Sequence, residues 1–125
     1  MTKLTLKFSK LDKYDNPVFI ARKDDLPEAY KKLKKYHKKL EAKEYGTFLP
    51  IFEHEVYGYS TIRFFKNRKF SKFVEGATYA IDFVVSTKEK KNKHYVNCFI
   101  NKVKFVNPAP EMDVGDVLDL DSDEE

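Results

Sequence analysis

Two neighbouring stretches hold the side chains best suited to chemistry. Between Val56 and Phe65 the residues divide by alternation into two sets. Val56, Ile62 and Phe64, with Gly58 and Ser60 between them, suit an interior. Tyr57, Tyr59, Thr61, Arg63 and Phe65 fall on the opposite face, where a core does not require them. Exposed rings suit the flat faces of unpaired bases, and stacking contributes roughly 1–3 kcal/mol per base. A guanidinium such as that of Arg63 can stack on a base or grip a phosphate. The competing reading packs both faces of this strand, for example under a helix.

The next stretch reads Lys66-Asn67-Arg68-Lys69-Phe70-Ser71-Lys72-Phe73. Cations and rings interleave, as a groove tracking a single strand needs: charge for the backbone, rings for the bases. Phe73, beside Val74, is expected to anchor the loop to the core, and Phe70 to be the stacking ring. Lys88, Lys90, Lys91 and Lys93, with His94 and Tyr95, form a second basic tip that would clamp a strand from the other side. The expected nucleic-acid contacts are therefore Tyr57, Tyr59, Arg63, Phe65, Lys66, Arg68, Lys69, Phe70, Lys72, Lys91, Lys93 and Tyr95. Seven further lysines between Lys31 and Lys43 read as a solvated helix face that adds only background potential.

Little in the chain suggests catalysis. His37, His54 and His94 stand apart, and Glu53-His54-Glu55 lacks the second histidine of a zinc-binding helix. There is no phosphate-binding glycine loop and no glycine-flanked serine of a nucleophile elbow. The expectation is a binding protein, not an enzyme, with no metal and no cofactor. Cys98 is the single cysteine, so an internal disulfide is excluded, and its apolar neighbours make it a small buried hydrophobe. With no long apolar run and no signal-peptide pattern, the chain reads as soluble, without a membrane partner, and cytoplasmic.

Charge is strongly partitioned. Residues 1–109 carry all 24 Lys and Arg and 12 of the 20 acids, a net of +12. Residues 110–125 carry the other 8 acids and no base. A body this basic attracts nucleic acid through release of condensed counterions. The acidic segment is itself a polyanion, able to visit the same surface.

Leu4, Leu6 and Phe8 alternate with polar residues as a half-buried strand does. Asp12 to Pro17 is a turn, and Val18 to Ala21 a short second strand. Asp25 is expected to cap a helix with Pro27 in its first turn and Glu28 reaching back. Leu26, Ala29, Tyr30, Leu33, Tyr36, His37 and Leu40 form its buried stripe, and Gly46 its stop. Strands are then expected over Thr47–Glu55, with Pro50 marking an edge or bulge. Further strands follow over Val56–Phe65, Ala77–Ser86 and His94–Val106, with a lysine-rich tip over Thr87–Lys93. Pro108 and Pro110 end regular structure. The fold expected is mainly β with one helix: an OB-fold-like, five-stranded antiparallel barrel over residues 1–107, then a disordered acidic tail over 108–125.

A basic, aromatic-rich OB-like body followed by a proline-marked boundary and an acidic tail resembles the single-stranded-DNA-binding proteins of bacteriophages, the small lactococcal-phage type being nearest in length. The resemblance rests on the Tyr57–Phe65 strand, the Lys66–Phe73 loop and the tail from Met112 to Glu125. It implies sequence-independent binding of single-stranded DNA in the host-cell cytoplasm, a role in DNA replication or recombination, and homodimerisation. It also implies that Asp116, Val117, Leu118, Asp119, Leu120, Asp121, Asp123, Glu124 and Glu125 recruit replication or recombination proteins. Tails of bacterial members end on a docking phenylalanine, whereas this one ends Asp123-Glu124-Glu125. Two other readings share the basic groove: an RNA-binding OB-fold protein, and a phage protein that binds and inhibits a host protein.

Overall fold

The computed structural model describes residues 2–44 and 48–109. Its elements are β1 (Thr2–Leu11), β2 (Pro17–Arg22), α1 (Pro27–Ala42), β3 (Ile51–His54), β4 (Tyr59–Arg63), β5 (Thr78–Lys90) and β6 (Lys93–Asn107). All strand pairings are antiparallel, in one six-stranded sheet of order β3-β4-β2-β1-β5-β6. The ladder is open, with β3 and β6 as its edges, and it has six strands where five were expected. The sheet nonetheless coils. Past β4, the Phe64 N–H donates to the Pro17 carbonyl (3.0 Å), and the Phe65 N–H crosses to the Cys98 carbonyl on β6 (2.8 Å).

Alternation dictates the core. Leu4, Leu6 and Phe8 of β1, Phe19 and Ala21 of β2, and Tyr79, Ile81 and Phe83 of β5 all point inward and are buried. Phe8, Phe19, Phe64 and Phe83 form an edge-to-face chain with centroid spacings of 5.3, 5.5 and 5.1 Å. Each such pair contributes about 0.5–1.5 kcal/mol beyond the area it buries. Phe73 joins them, 5.4 Å from Phe8 and 5.0 Å from Phe19, so it is the loop anchor expected of it. Cys98 is fully buried, and burial pushes its thiol up to about 12, with Arg63 opposing weakly.

Helix α1 covers one face of β1, β2, β3 and β4 with Ala29, Tyr30, Leu33 and Leu40. Lys34 locks it to the sheet edge through Glu53 (3.2 Å) and Glu55 (2.7 Å), and His37 Nδ1 donates to the Ile51 carbonyl (2.8 Å). Hydrogen bonding to Glu55 and Glu53 raises the Lys34 ammonium pKa, and the bond to Lys34 lowers that of Glu55. The helix begins differently from the expectation: Leu26 occupies the cap position, and no side chain caps it. Asp25 is drawn instead to Lys7 (3.4 Å) and Arg22 (4.0 Å) on the sheet. It also ends early, at Ala42, where the Lys43 and Glu44 N–H groups fold back onto Lys39 and Glu41 and Glu44 turns left-handed (φ 56°). Gly46 and the acidic segment lie outside the described residues.

The expected Val56–Phe65 strand is shorter. Glu55–Tyr57 is a single 3-10 turn, and Gly58 leaves it in the left-handed region (φ 67°), so extended pairing starts only at Tyr59. Val56 is therefore 91% exposed, not interior. The expected Thr47–Glu55 strand reduces to Ile51–His54, the sheet edge that Pro50 signals. The β5–β6 ladder runs to the Lys90–Lys93 pair, so the basic tip is a two-residue turn of Lys91 and Asn92, both at positive φ (52° and 65°).

Candidate nucleic-acid interface

The sheet face away from α1 is organised by β4. Ser60, Ile62 and Phe64 are buried, so Tyr59, Thr61, Arg63 and Phe65 stand outward. Six steps of about 3.3 Å from Tyr59 to Phe65 make this outward row about 20 Å long. The register supplies its neighbours: Tyr59 lies opposite His54 on β3 and Arg22 on β2, Thr61 opposite Phe52 and Ile20, and Arg63 opposite Val18.

At the Tyr59 end the rings form a row. Phe52 and His54 stack at 5.4 Å and 26°, His54 and Tyr59 at 4.5 Å and 23°, and Tyr57 continues at 6.3 Å and 31°. The Arg22 guanidinium lies 5.7 Å from the Tyr59 centroid. Phe52 and Tyr57 are 58% and 74% exposed, so the row is open to solvent at both ends. A cavity of about 530 Å³ runs beside it, lined by Lys10 and Arg22 together with Ile20, Phe52, His54 and Tyr59, and no acid borders it. Near-parallel rings with two flanking cations can extend a stack of bases while holding the phosphates between them.

At the other end Phe65 tilts against Phe99 (5.5 Å), and Phe65, Lys66, Arg68 and Phe70 line a cavity of about 550 Å³. The loop there is held by side-chain amides. Asn16 Oδ1 accepts from the Lys66 N–H (3.0 Å), and Asn67 Oδ1 accepts from the Lys69 N–H (2.9 Å), capping a 3-10 turn over Arg68–Phe70. Asn16 is fixed in turn by Asp12, whose carboxylate accepts from the Tyr14 and Asn16 N–H groups (2.8 and 2.9 Å) and the Asn16 amide (3.2 Å). Burial works to raise the Asp12 pKa, but these hydrogen bonds outweigh it and hold the carboxyl below its usual value. In a third cavity, of about 520 Å³, Arg63 meets Lys93, His94 and Tyr95, with Phe48 beside them, 81% exposed.

Nine of the twelve expected residues fall into three groups: Tyr57 with Tyr59; Phe65, Lys66, Arg68 and Phe70; and Arg63, Lys93 and Tyr95, the last in a cavity that Glu44 also borders. Lys69 sits 5.7 Å from the Phe70 centroid. Lys72 and Lys91 are exposed and border none of these cavities. Phe70 is half-buried against the core, so only part of its ring is open to solvent. The expected tail contacts, from Asp116 to Glu125, lie outside the described residues.

Sequence reasoning missed Phe52, His54, Arg22, Lys10 and Phe99. The first two carry a legible signal, because Phe52 and His54 stand two apart and so share one face of a strand. Arg22 needed the register that the Asp12–Pro17 turn imposes. Among the described residues no cluster of His, Cys, Asp or Glu is arranged to hold a metal ion, and no helix is long and apolar enough to cross a membrane. No family model, curated protein or solved structure matches the chain.

Proposed function

We propose that this face binds single-stranded DNA without sequence preference, and that the coiled sheet acts as an OB-like barrel around the Phe64–Phe83 core. The observation that carries the reading is the row Phe52–His54–Tyr59–Tyr57, flanked by Arg22 and Lys10 on the face opposite the helix. Every base has a π-face, so such a row recognises bases without reading their edges. The net charge of +12 over residues 1–109 supplies the sequence-independent part of the affinity. In this reading the protein coats strands exposed during phage DNA replication or recombination, as a homodimer. Its acidic segment recruits replication or recombination proteins and competes with DNA for the basic face.

The test is binding of matched single-stranded DNA, duplex DNA and RNA in one buffer, with Tyr59→Ala alongside. Single-stranded DNA should bind more tightly than duplex, and Tyr59→Ala should lose roughly 1–3 kcal/mol of that affinity. Phosphate contacts alone favour the denser charge of duplex, so a duplex preference overturns the proposal. Tighter binding of RNA would move the chain to RNA recognition.

A further inference from the structure

On the helix side of the sheet, a cavity of about 400 Å³ opens between α1 and the first residues of β1. It is lined by Thr2, Lys3, Lys32, Lys35, Tyr36 and Lys39. Lys32, Lys35, Tyr36 and Lys39 follow the three-and-four spacing of one helix face, so three ammonium groups rise along one stripe and Lys3 faces them from the strand. Among the described residues none of the four lysines forms an ion pair. Asp82 is the cross-strand neighbour of Lys3 but makes no ion pair with it. The contrast with Lys34 is direct, because that lysine reaches Glu53 and Glu55 across the sheet edge. A second observation points the same way. Thr2 Oγ1 and Tyr36 Oη share a hydrogen bond of 2.5 Å, which uses one of their two hydroxyl protons. The other has no acceptor among the described residues.

We propose that this cleft is a second anion site, distinct from the aromatic face, and that it takes a run of phosphates. The four exposed lysines that line this one cleft carry like charge, and a single negative charge offsets only part of it; a polyphosphate offsets more and supplies acceptor oxygens for the spare hydroxyl proton. The one ring in the cleft, Tyr36, is half-buried with its hydroxyl bonded to Thr2, so lysines and hydroxyls dominate the lining and phosphates suit it better than a stacked base. It suits an acidic peptide less well. The segment 110–125 intersperses Val114, Val117, Leu118 and Leu120 with its acids, and nothing in the cleft lining matches those side chains.

The probe is inorganic tripolyphosphate, titrated calorimetrically into the full chain at fixed ionic strength. Wild type and Tyr59→Ala should bind it equally, which separates this site from the strand-binding face. K35Q/K39Q should weaken it about tenfold, equivalent to ~1.4 kcal/mol. K31Q/K38Q removes the same charge elsewhere on the helix and should stay within twofold of wild type. Equal losses in both double variants, or none in K35Q/K39Q, would overturn the proposal by reducing the effect to net charge. So would binding seen only after residues 110–125 are removed, which would give the cleft to the acidic segment. Displacement of tripolyphosphate from Tyr59→Ala protein by a thymidine oligonucleotide would assign the site to a nucleic-acid backbone. Its persistence would assign the site to a free polyphosphate, and either result supports the proposal.

Discussion

His54 holds the ring row together, since it is the ring between Phe52 and Tyr59. His54→Ala should weaken single-strand binding by roughly 1–3 kcal/mol while changing the melting temperature little, because the side chain is only half-buried. Phe70→Ala should behave differently and lower the melting temperature as well as the affinity, since that ring packs against the core. Parallel melts and titrations of the two variants separate the roles. Asp12 allows a pH prediction. Its folded pKa lies below the ordinary 3.8, so its stabilising effect is full above that value and is lost as pH falls through the folded pKa. Asp12→Ala should therefore melt lower than wild type at pH 6, with the gap closing below pH ~4. An unchanged gap in acid would mean that the turn is held by something other than the ionised carboxylate. At this scale the sequence was legible wherever alternation sorts faces: Tyr59, Arg63 and Phe65 stand outward as their spacing predicts. The half-burial of Phe70 was not legible, because nothing in Lys-Phe-Ser distinguishes a ring lying on solvent from one packed in part against the core.

Among the elements, the 3-10 turn before β4 decides where the aromatic face begins. Gly58 leaves that turn at φ 67°, and a Cβ there would meet only Lys23 Cβ, at an ordinary 3.8 Å. The expected cost of Gly58→Ala is therefore conformational, about 1–2 kcal/mol, with Gly58→Asn costing less. A melt showing no loss for Gly58→Ala would mean that the turn relaxes out of the left-handed region. The same turn explains a failure of sequence reasoning. Val56 and Tyr57 have strong β-propensity, and a continuous strand through them satisfies the alternation, so only the glycine signals the break. The helix shows the converse. Its stripe from Leu26 to Leu40 was legible, but its ends were not. Asp25, a good cap by local rules, is drawn to Lys7 on β1, a partner eighteen residues away in sequence that no local pattern reveals. The bounds of the edge strand were illegible for a related reason: the short Ile51–His54 segment within the expected Thr47–Glu55 strand is set by pairing with β4 and not by its own length.

For the molecule as a whole, the opposed charges of residues 1–109 and 110–125 set the binding conditions. Removing residues 110–125 should tighten single-strand binding, most at low salt, where screening is least. The logarithm of affinity should fall with the logarithm of salt at a slope of roughly −3 to −4 for four to six phosphates. Unchanged low-salt affinity in the shortened chain would restrict the acidic segment to partner recruitment. The sheet order carries a different consequence, for how the chain reaches this state. β1 sits in the middle of the sheet, yet half of its hydrogen-bonding comes from β5, with Thr2 opposite Phe83. β1 is therefore synthesised well before its second neighbour, Thr2 standing 81 residues ahead of Phe83, and its Leu4, Leu6 and Phe8 stay incompletely covered until β5 follows. Such non-local pairing places refolding in the millisecond-to-second range. During that wait the free edge of β1, with one apolar face, is open to pairing with another nascent chain and to capture by chaperones.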